Sequence, residues 1–545
     1  MSLVSPDQPG AATRSTEAYE RLNRAFASPV DFSDPYDSRD IAVDWEVQTP
    51  MGEALRIPAF YDARLCPERP WQVRFTPRSA GAYQAMWVVR SGGEVSHQSE
   101  PERFVVEASR DGARGFLRQV EGWGLRFENG ERVRGVGINF AWEEEPGRRR
   151  GKLDYRYETF LPALKAAGAT FFRTWSCPWN LPLIWNTPSP RHERYDLQAA
   201  AKLDAVVALS EGLGLCFMFC LDYHGALKLV EDYWGGNAFW PRHPYNRENG
   251  GTCTKPEDLF TDAAARHDYR DRLRYIVARW GYSPALGVFE LWNEIDNAME
   301  GDRQPIAEAS IVDWHREMTA FLKKLDPYGR PVATSLSHTD IRALFSLEHI
   351  DFTQLHLYCR SEELLEQLER NRRNYGKPVI VGEFGYDWRA PEDPFAHLFN
   401  ADLKLALWRA LFSETPVLPL AWWWELHYEN GGLPILKVAA EFAQLVAQRC
   451  NWEVAPVALP RVEGLELQAF ASSEALYLWV RRLDASAPMM IPLQELPTQP
   501  QRVLQFDLEA MQSQPADAAL VRRYPGNLEL SAADLPDMTV LILEH

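Results

Sequence analysis

Eight short apolar runs recur between residues 134 and 424. They are RGVGINFA (134–141), TFFRTW (170–175), GLCFMFCLD (214–222), LGVFELWN (286–293), PVATSL (331–336), FTQLHLY (352–358), PVIVGEF (378–384) and LPLAWWW (418–424). Between them lie segments with apolar residues at helical spacing, such as YETFLPALKAAG (157–168), AAAKLDAVVALSEGLG (199–214) and YRDRLRYIVARWG (269–281). Strands that are apolar throughout need cover on both faces, which alternating helices supply. Eight such units predict a (β/α)8 TIM barrel, and a span of 109–450 leaves room for inserted loops.

The flanks have a different texture. In 14–108 the runs IAVDWEV (41–47), WQVRFTP (71–77), GAYQAMWVV (81–89) and RFVVEA (103–108) alternate and are separated by Pro and Gly. That spacing predicts a β-sandwich. The tail, 451–545, alternates again in LYLWVRR (476–482) and VLQFDL (503–508), predicting a small second β domain. The expected architecture is therefore multidomain α/β: barrel, N-terminal sandwich and C-terminal β domain.

A net charge of -18 gives no global basic footprint for nucleic acid or anionic lipid, and no apolar stretch has transmembrane length. Neither a nucleic-acid partner nor a membrane is expected. The start, MSLVSPDQPG, lacks the basic and apolar parts of a signal peptide, so the chain as written reads as cytoplasmic. MSL and the closing LEH resemble cloning remnants, which leaves room for a native leader cut away. Seven Cys show no CxxC spacing, so reduced thiols are the default, with a Cys177–Cys253 pair left open. Oligomeric state is unreadable.

In a barrel, functional side chains gather at the C-terminal ends of strands. The polar residues there are Asn139, Arg173, Asp222 to His224, Asn293 and Glu294, His356 and Tyr358, Glu383, and the Trp422 to Trp424 cluster. Two glutamates end strands four and seven, which face each other across a closed barrel. Such a pair can divide labour, one protonated as general acid and one ionised. No HExxH or clustered Cys/His appears, so neither metal nor cofactor is expected. The chain has 20 Trp, more than packing alone requires, and flat apolar rings suit a sugar-binding cleft.

The set ELWNEID (290–296), VGEFG (381–385), QLHLY (354–358) and FFRTW (171–175) resembles clan A, the 4/7 superfamily of retaining glycoside hydrolases, with the family 5 cellulase-like members nearest. WQVRFTP and GAYQAMW resemble the β-sandwich domain of unknown function DUF5060. The resemblance implies hydrolysis of a β-linked oligo- or polysaccharide by double displacement. It makes Glu294 the acid/base, Glu383 the nucleophile and Asn293 the partner of the sugar 2-OH. It places Arg173 and Tyr358 against Glu383, and His224 and His356 in the subsite of the cleaved sugar. A strand-eight Trp would floor that subsite. If the run is a strand, Trp422 and Trp424 face opposite to Trp423, and Trp424 is preferred. Ile295 stands where many members have Pro.

Plainer readings remain beside these. Arg173 could serve an ion pair inside the barrel, and either His could be a packing residue. Trp45 and Trp87 read as core. The loops 177–195 and 233–253, rich in Gly, Pro, Asn and Trp, carry Trp179, Trp185, Trp234 and Trp240, which are sugar-stacking platforms or the loops' own packing. If these loops close one end of the cleft, an exo mode is favoured. The alternatives to hydrolysis are an inactive carbohydrate-binding protein and a transglycosylase using the same glutamates. Sugar and linkage are not readable.

Overall fold

Gly, Pro and polar residues cut each apolar run short, and seven of the eight runs form strands. A computed structural model describes residues 16–109, 112–119, 122–143, 153–186, 194–231, 237–299, 305–389, 395–484, 490–492, 502–509, 511–516, 521–524, 527–530 and 536–545. The strands are Gly137–Asn139, Phe171–Trp175, Cys216–Tyr223, Leu286–Asn293, the pair Val332–Ala333 and Ser335–Leu336, Thr353–Tyr358, and Val379–Gly385. A helix follows each, among them Tyr157–Ala166, Leu197–Leu213, Ala263–Trp280, Glu308–Leu325, Leu364–Tyr375 and Ala396–Leu411. Local chemistry sets their ends. Asp196 accepts from the N–H groups of Gln198 and Ala199 to start one helix, and Gly214, at φ +64°, stops it.

The eighth run departs from expectation. The segment pairs through isolated bridges, Gly135 to Val417 and Ala421 to both Ile138 and Phe384, with backbone bonds such as Leu418 N–H to the Gly135 carbonyl at 2.8 Å and Leu420 N–H to the Val381 carbonyl at 3.1 Å. A helix, Trp424–Glu429, begins inside the run. Strand alternation therefore does not extend to Trp424.

By density of contacts the chain divides into two compact units. One comprises residues up to 119, 127–130 and 173–354; the other comprises 120–126, 131–172 and 355–545. The boundaries fall inside the strands Phe171–Trp175 and Thr353–Tyr358.

In the first unit, Cys216–Tyr223 pairs in parallel with Leu286–Asn293, which pairs in parallel with Val332–Ala333. Ser176 N–H donates to the Cys220 carbonyl at 2.8 Å. The same unit holds two β-sheets from the N-terminal segment. A six-stranded sheet runs Thr16–Glu17, Glu102–Glu107, Gly81–Ser91, Ala42–Gln48, Ala54–Pro58, with Glu94–Gln98 on Gly81–Ser91. A three-stranded sheet runs Leu22–Phe26, Trp71–Phe75, Phe60–Tyr61. Inward positions of both sheets, including Val43, Trp45, Trp71, Phe75 and Trp87, share one core.

In the second unit, Thr170 and Phe171 N–H groups donate to the Val136 carbonyl at 2.9 and 3.1 Å. Gly137 permits this approach, because a Cβ there would lie 1.6 Å from the Phe171 carbonyl oxygen. The tail forms a six-stranded sheet in the order Ala455–Val457, Leu465–Ala471, Ala475–Arg482, Met538–Glu544, Arg502–Asp507, Gln512–Pro515. Its core includes Leu476, Leu478, Leu541 and Leu543. All seven cysteines are free thiols, Cys177 and Cys253 included. Among the described residues, no helix is long and apolar enough to cross a membrane.

Candidate active site

Leu286–Asn293 is buried at every residue, so an acid within it must be paired. That acid is Glu290. Arg173 clasps it with Nε to Oε2 at 2.7 Å and Nη2 to Oε1 at 2.8 Å, both side chains fully buried. Gln354 adds a donor to Oε1 at 2.9 Å. Arg173 Nη2 also donates to Asn293 Oδ1 at 2.7 Å, which orients the amide at the strand end. Arg173 is thus engaged in a buried ion pair, and the same guanidinium holds Asn293. Removing one partner of such a pair costs roughly 3–5 kcal/mol. Glu290→Ala is expected to lower the urea midpoint of unfolding accordingly; an unchanged midpoint would mean that the pair contributes nothing.

The strand ends in a strained turn. Glu294 has φ +50° and ψ 51°, a left-handed conformation rare outside Gly and Asn, costing of order 1–3 kcal/mol. Its N–H donates to Ser335 Oγ at 2.9 Å. Asn297 Nδ2 donates to its Oε2 at 3.2 Å, and His224 Nδ1 lies 3.5 Å from the same oxygen. His224 is also 3.5 Å from Asn293 Nδ2. Burial, then the nearby charge of Asp296, pushes the Glu294 carboxyl up to about 8, against the opposing charges of Arg173, His338 and Lys228. The side chain keeps 15% of its surface open, enough for contact with a ligand.

In the second unit, Val379–Gly385 is likewise buried throughout and carries Glu383. The Tyr358 hydroxyl donates to Glu383 Oε2 at 2.6 Å, and His356 Nδ1 lies 3.4 Å from Oε1. Asn139 is fully buried and donates through Nδ2 to the carbonyls of Gly382, Leu420 and Ala421 at 2.9, 3.0 and 3.3 Å. That places its amide on the backbone beside Glu383. Trp424 is buried edge-on against Phe140, Trp142 and Trp422. Trp422 keeps part of its surface open, so of the two it is the one a ligand can reach.

Several tryptophans of the strands and long loops lie inside. Trp175, Trp240 and Trp292 are buried, Trp240 stacking on His243 and Trp292 packing on Phe260 and Trp314. Trp185 meets Phe239 and His243 edge-on. By contrast Trp179 at 37% and Trp388 at 43% exposure are open. Residues 187–193 and 232–236, with Trp234, lie outside the described residues. Asp222, at the end of the third run, points into structure: it accepts from Tyr269 at 2.8 Å and from Arg272 at 2.9 and 3.0 Å. Asp37, His267 and Asp271 bring three ligand atoms within 4.8 Å, but Arg39 and Arg194 already pair with these carboxylates, which disfavours a cation.

No family model matches the chain. Among solved structures it is similar to a presumed glycoside hydrolase from Bacteroides vulgatus, with a TM-score of 0.68 over 97% of this chain and 100% of that one, at 15% identity. The chain shares that fold. Among curated proteins it is similar to mannan endo-1,4-β-mannosidase F of Aspergillus fumigatus, 23% identical over 269 residues, covering 43% of this chain and 57% of that protein. It is also similar to a probable mannan endo-1,4-β-mannosidase F of Neosartorya fischeri, 25% identical over 210 residues, covering 34% and 42%. The chain spans about half the length of the curated relatives it matches.

Proposed function

We propose that the chain is a glycoside hydrolase that cleaves a β-linked polysaccharide with retention, with Glu294 and Glu383 as its two catalytic carboxylates. The observation that carries this reading is the placement of Glu294 at the end of a fully buried strand, its Oε2 held by Asn297 and its carboxyl pushed up to about 8 by burial and Asp296. A general acid working near neutral pH needs such a shift. In this reading Glu294 protonates the glycosidic oxygen while Glu383, with Tyr358 as its donor, attacks the anomeric carbon. The leaving group departs, and a covalent glycosyl–Glu383 ester remains. Glu294, now ionised, takes a proton from water, which displaces Glu383 and regenerates both groups. Asn293 binds the sugar 2-OH, and His224, His356 and Trp422 line its subsite.

The mannosidase names of the curated relatives make β-1,4-mannan the first substrate to try. The test is digestion of mannan, xylan, glucan and galactan oligosaccharides with mass-spectrometric product analysis, and NMR of the first product anomer. Cleavage of the mannan series with a β anomer appearing first is expected. Binding across the panel without product would overturn the assignment in favour of a carbohydrate-binding protein, and an α anomer first would overturn retention.

A further inference from the structure

Immediately after Glu294 the chain makes a short turn, Ile295–Ala298, and two of its side chains bear on the glutamate, Asn297 by a hydrogen bond and Asp296 by its charge. The Asn297 amide spends one donation on Glu294 Oε2 at 3.2 Å and the other on Ser337 Oγ at 3.0 Å. Ser337 Oγ donates onward to Asp296 Oδ2 at 2.9 Å. Asp296 is fully buried and also accepts from the N–H groups of Ser337, His338 and Thr339, each at 2.9 Å. One carboxylate thereby pins the segment after Ser335–Leu336 to the strand end that carries Glu294. The same segment supplies Ser335, whose Oγ accepts from Glu294 N–H.

We propose that Asp296 and Asn297 are positioning residues for Glu294: Asn297 fixes its Oε2, and Asp296 anchors through Ser337 the segment that holds Asn297 in place. This rests on Glu294 being the acid. Neither side chain is asked to touch the reacting atoms. The other charged or titratable groups around Glu294 are His224 at the end of strand Cys216–Tyr223, Lys228 in the loop after it, Arg173 on Phe171–Trp175, and His338 on the pinned segment.

The two residues act with opposite sign. Asp296 is a like charge, which keeps the proton on Glu294, whereas a donor to Oε2 favours its ionised form. The experiment is pH-difference infrared spectroscopy of the protonated carboxyl band, with Glu294→Gln as blank, on the full chain and on Asp296→Asn and Asn297→Ala. The midpoint of Glu294 is expected to move down in Asp296→Asn and up in Asn297→Ala. Midpoints that stay in place, or move together, overturn the proposal. Should Asp296→Asn fail to fold, the Asn297→Ala midpoint decides alone, up supporting and unmoved or down refuting. The reading needs no substrate, so a chain that cleaves no glycan would sink the proposed function and leave this result standing on its own.

Discussion

Glu383→Gln is expected to lose turnover by on the order of 10⁴-fold or more in kcat, about 5.5 kcal/mol of barrier, while keeping its fold. The amide has nearly the carboxylate's shape and its oxygen can still accept from Tyr358, so the site stays assembled. What it lacks is the nucleophilic oxygen anion that forms the ester. The check is kcat on an aryl β-glycoside of the sugar found active, beside circular dichroism of the variant. Azide offers a second readout. With Glu383→Ala, azide attacks from the vacated face and gives an α-glycosyl azide, a product the intact enzyme cannot make. Wild-type turnover in Glu383→Gln would end the assignment.

Glu294→Ala tests the other half. Proton donation by a placed carboxyl is worth roughly 10²–10⁴-fold. That loss is expected on oligosaccharides, whose leaving oxygen needs the proton, and should shrink for dinitrophenyl glycosides, whose leaving group does not. Equal losses would refute the acid role. The pH profile carries a sign. Glu294 holds its proton below about 8 and gives it up above, so kcat/KM on oligosaccharides should fall as pH rises through about 8. Glu294→Ala should lack that limb. A wild-type profile whose acid is already lost near 5 would mean that burial and Asp296 do not hold the proton.

Seven of the eight strands were legible because apolar runs bounded by polar residues leave little choice between strand and helix at that length. The eighth misled for a stated reason. LPLAWWW is apolar and pairs with its neighbours as far as Trp422, but Trp424 opens a helix, so the alternation that favoured Trp424 does not extend to it. Glu290 was also missed. It lies within ELWNEID, yet attention to strand ends passed over an acid four residues inside an apolar strand, where only a buried cation such as Arg173 makes it tolerable. Asp222 erred the other way: a polar residue at a strand end looked rim-facing and proved to be spent on Arg272 and Tyr269. Asp296 and Asn297 gave no periodic signal, because a 3₁₀ turn four residues long has none.

The left-handed backbone at position 294 bears on what a chain like this would become if stability alone shaped it. Glycine adopts that conformation freely and asparagine with little resistance, whereas glutamate does so only under constraint. On conformational grounds glutamate is among the poorer occupants of this site, and burial and the proximity of Asp296 further disfavour its ionised side chain. A sequence designed only to fold would put glycine there. The carboxyl is present in spite of the backbone, a cost to durability that the acid role proposed for Glu294 would explain.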